Sequence, residues 1–135
     1  MKTSVTLIIS LFMFAWTWAD DVQYTKQYND CISQAAGITK AMRYCIQEEY
    51  VKQDKRLQEA YKKALQSEEI NPGARKALVA AQLAWLDFKN KTCNYYNEKD
   101  GQIFVVMRDQ CHLEMTVSQA NRLYNLVAHP PAMQK

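Results

Sequence analysis

The chain has 135 residues, of which 48% are hydrophobic, with 17 basic and 14 acidic side chains and a formal charge of +3. That length excludes several large domains, and so small a charge excludes the dense basic field that neutralises phosphates, so nucleic acid is not an expected partner. Three glycines, three prolines and no alternating β-branched runs argue against a sheet.

The N-terminus places one basic residue, Lys2, before the apolar run VTLIISLFMFAW, with Thr17-Trp18-Ala19 ahead of two aspartates. This pattern predicts a secretory signal peptide over residues 1–19, cut after Ala19. A retained anchor needs about 18 or more apolar residues, and this run is shorter. Cleavage leaves residues 20–135 and removes Lys2, lowering the charge from +3 to +2. The expectation is one exported domain, periplasmic or secreted from a bacterium, with no integral membrane segment.

Helical periodicity runs through nearly all of the remainder. A first helix is predicted from about Val22 to Ala36, with Tyr24, Tyr28, Ile32 and Ala35 on one face and a stop at Gly37. Thr39 reads as the N-cap of a long second helix carrying the stripe Met42, Ile46, Tyr50, Leu57, Tyr61, Ala64 and Leu65. EEINPG breaks it, and Pro72 opens a third helix that runs from about Gly73 to Tyr96 and ends at KDGQ. A fourth helical segment fills much of Ile103 to Val127, with an interruption expected near Thr116, because Thr116-Val117-Ser118-Gln119 has capping-box spacing. The tail from about residue 128, AHPPAMQK, is expected to be loose. The predicted fold class is all-α, a compact bundle of three to four helices in which helices two and three are antiparallel neighbours.

Four cysteines, Cys31, Cys45, Cys93 and Cys111, are an even number in an oxidising compartment, so two disulfides are expected. Their separations of 14, 48 and 18 lack the close ligand pairs of a zinc site, and no metal is expected. Of the three possible pairings we prefer Cys31–Cys45 with Cys93–Cys111, since each joins adjacent helical segments across a short connection.

Two charges stand on stripes that should face the core. Asp54 lies four residues after Tyr50 and three before Leu57, and Lys89 lies four residues after Trp85. Folding helices two and three about Ile70 and Asn71 brings them within about one helical turn of each other. The expectation is a structural ion pair, Asp54–Lys89, that fixes helix register, with Gln82 joining the same polar network.

The spacing Cys45-x3-Glu49-x4-Asp54-x2-Leu57-Gln58-x2-Tyr61-x3-Leu65, then Ala81-Gln82-x2-Trp85-x2-Phe88-Lys89-Asn90-x2-Cys93, resembles the LprI-type lysozyme inhibitors, exported bacterial proteins. The likeness covers most of the chain beyond residue 19. It departs from the family pattern at Lys89, where arginine is usual, and at Gln58, where asparagine is usual. In the last helix the family commonly has threonine followed three residues on by arginine; here Thr116 is followed by Gln119, and Arg122 is the expected substitute if that arginine serves to tie the C-terminal helix down. The resemblance implies a helical domain that binds and blocks a lysozyme, with no catalysis of its own.

A separate search for chemistry agrees with that implication. His129 sits in the tail and His112 adjoins Cys111, with no orienting triad around either, and Glu48/Glu49 reads as solvated surface. No catalytic residue and no cofactor are expected. The partner expected is a protein, a lysozyme or other muramidase, with a rival's secreted toxin or an envelope-stress role as the alternatives. Acidic loop residues suit a cationic enzyme cleft, and the candidates are Glu98 and Asp100 before Gly101, with Glu68 and Glu69 at the other turn.

Overall fold

The computed structural model describes residues 23–67 and 70–128. The expected cleavage at Ala19, the tail beyond residue 128 and the pair Glu68 and Glu69 lie outside the described residues. Four α-helices follow in order, and no strand occurs among the described residues.

Helix α1 spans Lys26–Ala35 and starts at Thr25, whose extended backbone and side-chain oxygen accept the role of cap: Oγ1 receives the Tyr28 N–H at 3.2 Å. It ends on two left-handed residues, Ala36 (φ 47°) and Gly37 (φ 79°), which turn the chain back on itself. Helix α2, Thr39–Gln66, begins one residue earlier than expected. Ile38 holds the cap position without a side-chain bond, and Thr39 is already helical. Helix α3, Pro72–Asn94, is capped by Asn71, whose Oδ1 accepts the Ala74 N–H at 2.8 Å, with Pro72 in the first turn where its missing donor costs nothing. A 3-10 turn, Tyr95–Glu98, leads to α4, Gln102–Ala128.

The interruption expected at Thr116 does not occur. Thr116 is fully buried in mid-helix, between Leu113, Val117 and Ala120 on one continuous core face, and that packing outweighs the local capping pattern. Its Oγ1 is buried without a hydrogen-bond partner.

The main seam joins α2 to α4, side by side and parallel. Arg43 meets Asp109 and, farther along, Arg56 meets Asn121, so residues about 65 apart stay level along the helices. Two clusters fill the seam. Ile46 and Cys45 pack with Tyr28 and Ala35 of α1 and with Val106, Leu113 and Val117 of α4. Beyond them Leu57 and Ala60 pack with Ala120 and Leu123, edged by Tyr61, Leu78 and Trp85. The alanines let the helix axes approach closely. Helix α3 returns antiparallel to α4 and packs mainly on it; the close α2–α3 neighbourhood expected from the short turn does not form, because the α2–α4 seam already occupies the inner face of α2. Both expected disulfides form, Cys31–Cys45 tying α1 to α2 and Cys93–Cys111 tying α3 to α4, with Cα atoms 5.7 and 5.6 Å apart. Loops of this size contribute on the order of 3 kcal/mol each in the chain-entropy picture.

Because the Thr116 hydroxyl is desolvated without a partner, Thr116→Val should keep or raise stability, by up to about 1 kcal/mol in urea unfolding. A loss larger than that would mean the hydroxyl has a partner in solution.

Candidate functional site

Two buried charges organise the interior, and each is satisfied in its own way. Lys89, on the inner face of α3, is only 5% exposed. Its Nζ lies 4.8 Å from the Trp85 ring centre, one turn back on the same helix, and 5.5 Å from that of Tyr50 on α2. The ammonium donates to the Tyr50 hydroxyl at 3.3 Å. The Trp85 ring and the Tyr50 hydroxyl replace part of its hydration.

The expected Asp54–Lys89 ion pair does not form. Asp54 is half-buried and makes no ion pair or hydrogen bond among the described residues, while Lys89 meets α2 at Tyr50, one turn earlier. The hairpin register was read closely, but the inner face of α2 is centred on Ile46, Glu49, Gln53, Leu57 and Ala60 rather than on Tyr50 and Asp54. Gln82 is buried and forms no network with Lys89; its Oε1 accepts from Gln119 Nε2 at 2.9 Å, joining α3 to α4. Gln119, at the position where the resemblance expects arginine, therefore acts as a helix-to-helix tie.

Glu49, expected on the surface, is 1% exposed. Its Oε1 accepts the Thr25 backbone N–H at 2.9 Å and the Gln53 amide at 2.8 Å, and its Oε2 accepts the Thr25 hydroxyl at 2.6 Å. Thr25 thus caps α1 and binds Glu49 together. Burial alone would push this carboxyl up. The bonds from the Thr25 hydroxyl, the Gln53 amide and the Thr25 N–H, with nearby Lys52, reverse that and hold it below its ordinary value. The signal available in the sequence was spacing, since Glu49 and Gln53 fall at helical intervals with Ile46 and Leu57.

Around Lys89 a cleft of about 250 Å3 opens between α2, α3 and α4, lined by Ile46, Gln47, Tyr50, Asn90, Asp109 and His112. Burial, then the positive charges of Lys89 and Arg108, push the His112 imidazole down, with Asp109 opposing. Asp109 is held by Arg43 at 2.7 Å and by Arg108 at 2.8 Å. On the other side of Trp85 a groove between α3 and α4 continues through Phe88, Met115, Gln119 and Arg122 as a space of about 560 Å3. No group of three or more potential metal ligands occurs among the described residues, and no described helix is long and apolar enough to cross a membrane.

At the end of α3 the chain leaves the bundle as the turn that carries Glu98 and Asp100, both exposed. Its base is fixed by Cys93–Cys111 and by Arg108 Nη1, which donates to Asn97 Oδ1 at 3.1 Å. Tyr95 is exposed beside it, with Lys99 Nζ 4.9 Å from its ring centre. The turn shares no hydrogen bond with Lys89, Gln82 or Asp54, although Lys89 lies only nine residues before Glu98 on the helix that leads into it.

Two measurements test these assignments. Tyr50→Phe removes the one hydrogen-bond partner of the Lys89 ammonium among the described residues and should cost about 1–2 kcal/mol, while Asp54→Ala should change stability by less than about 0.5 kcal/mol. A larger cost at Asp54 would restore the ion pair. Glu49 has a folded-state value below its unfolded one, so its stabilisation is present above the ordinary carboxylate range and is lost as pH falls through the folded-state value. Glu49→Gln should therefore be about 1–3 kcal/mol less stable at neutral pH, with the gap to wild type closing in acid. A gap that stays constant or widens in acid would contradict a depressed Glu49.

The family described as Lysozyme inhibitor LprI matches residues 23–123, which contains the whole of α1, α2 and α3 and most of α4. Searches of curated proteins and of solved structures return no match. The matched range takes in both disulfides, Glu49 with its Thr25 cap, and the Trp85–Lys89 pair, and it covers well over half of the sequence, so the chain belongs to the LprI lysozyme inhibitor family.

Proposed function

We propose that the protein is an exported inhibitor that binds a lysozyme or related muramidase and blocks it by occlusion, without turning over a substrate. The observation that carries this reading is membership of the LprI family, whose description is inhibition of lysozyme. The stapled bundle supports it physically. A rigid scaffold presents the exposed turn of Tyr95, Glu98 and Asp100 at little ordering cost, because the Cys93–Cys111 bridge and the Arg108–Asn97 bond already hold its base. Carboxylates on such a turn complement a cationic sugar-binding cleft and steer the encounter. The second acidic candidate, Glu68 with Glu69, lies outside the described residues.

Replacing Glu98 and Asp100 together by Gln and Asn should raise the inhibition constant about tenfold or more, with the unfolding midpoint unchanged, since both side chains are exposed. Unchanged inhibition would move the binding surface elsewhere on the molecule. Full activity of every muramidase tested, at micromolar concentrations of the protein, would reject inhibition of that class and favour a secreted toxin or an envelope role instead.

A further inference from the structure

Helix α3 packs in an unusual way. Of its 23 residues only Gln82, Lys89 and Cys93 are buried, none of them aliphatic. Leu78 edges the core, but the other large aliphatic side chains are exposed, Leu83 to 63% and Val79 and Leu86 each to more than a third. From Ala77 to Leu86 the helix carries no charge at all. On a wheel of 3.6 residues per turn, Lys76, Val79, Ala80, Leu83 and Asp87 fall on one outward stripe. A contiguous apolar strip of this kind, closed at each end by a charge, has the layout of an interface centre with a polar rim.

We propose that this stripe is a self-association surface, on which the α3 of a second copy of the chain docks antiparallel about a two-fold axis passing between Ala81 and Gln82. Charge and size complementarity choose this occupant. A two-fold axis there sets residue i of one copy opposite residue j of the other with i and j interchangeable. Leu83 then faces Ala80 of the second copy and Ala80 faces its Leu83, so each large side chain covers a small one at the centre. Lys76 faces Asp87 at both ends, about 16 Å apart along the axis. Lys76 has no ion pair or hydrogen bond among the described residues. Asp87 is bound only by its own helix neighbour Lys91, at 2.8 Å, and is well exposed. In a parallel pairing in register, Lys76 would meet Lys76 and Asp87 would meet Asp87, and like charges in contact disfavour that arrangement. One helix face is small beside the area of a permanent dimer, so the association is weak, in the micromolar range. The turn at Glu98 and Asp100 lies beyond the far end of α3, outside the stripe, so pairing leaves it free.

Sedimentation equilibrium on the chain from Asp20 onward, the form expected after export, tests this over micromolar to millimolar concentrations. The expected result is a monomer–dimer equilibrium that Leu83→Glu weakens at least about tenfold, with helicity and melting of the dilute protein unchanged. Lys76→Asp and Asp87→Lys should each weaken it about tenfold, and the double variant Lys76→Asp/Asp87→Lys should recover most of the loss. Recovery reports on the opposed pair and is not expected from a general change of charge. A wild-type protein that stays monomeric throughout, a Leu83→Glu variant that still dimerises equally well, or a double variant no better than the singles would each overturn the proposal. If the wild type is monomeric and Leu83→Glu instead abolishes muramidase inhibition, the face belongs to the enzyme and not to a second copy. Inhibition by Leu83→Glu at the wild-type level together with lost dimerisation supports the proposal and leaves the inhibitory reading intact.

Discussion

The parallel seam between α2 and α4 governs the rest of the molecule. Two parallel helices joined in sequence need a return segment of about their own length, and α3 supplies it. The seam takes most of the aliphatic side chains of the core, Ile46 and Leu57 from one side and Leu113, Val117 and Leu123 from the other. What is left for the returning helix is a shallow line of contact, reached by long polar side chains rather than filled by branched ones. Gln82 spans to Gln119 and Lys89 to Tyr50, and one disulfide closes the end. The sparse packing of α3 is thus a consequence of chain topology, and its apolar outer face follows from the same cause.

Burying one carboxylate and one ammonium without pairing them is a recognisable physical solution. A buried ion pair must recover two desolvation costs through one contact. Here Glu49 is surrounded by fixed donors, three hydrogen bonds from Thr25 and Gln53, and Lys89 by the Trp85 ring and the Tyr50 hydroxyl. Each group is specific in a different direction. Glu49 locks the start of α1 onto α2, since it binds the residue that also caps α1. Lys89 locks α3 against α2. An arginine here, which the resemblance leads one to expect, would present a flat, delocalised cation that also stacks on rings.

Much of this architecture was legible in the sequence. Helix number, order and the breaks at Gly37 and Pro72 followed from periodicity and turn chemistry, and the disulfide pairing followed from the short connections that each bridge spans. The inner face of α2 was misread by a rotation of roughly 60°. Tyr50 and Tyr61 are large and apolar in body, so they drew the stripe toward themselves, yet both sit half-buried at its edge. Beside Ile46, Leu57 and Ala64 of the expected stripe, the true centre holds Glu49 and Gln53, polar residues whose burial depends on partners, and Ala60, whose small side chain is buried by close helix approach. Thr25 could not be tied to Glu49 from sequence at all, because that contact spans 24 residues and no local pattern encodes it. At Thr116 the local signal was present and tertiary packing overrode it.

The two disulfides also share a level in the bundle. Cys45 and Cys111 differ by the same 66 positions as Arg43 and Asp109, so both bridges cross the molecule at one end, close to the exposed turn after α3. The opposite end, where α2 passes to α3, is held by side-chain packing and by Arg75, which donates to the Leu65 carbonyl. Covalent restraint is therefore graded along the long axis. Amide hydrogens near the bridges are expected to exchange only through opening of the whole bundle, and those at the last turns of α2 and α4 through local fraying. The end without a covalent tie is the one farthest from the Tyr95–Glu98 turn, so a molecule that opens from that end is expected to keep the turn in its folded shape.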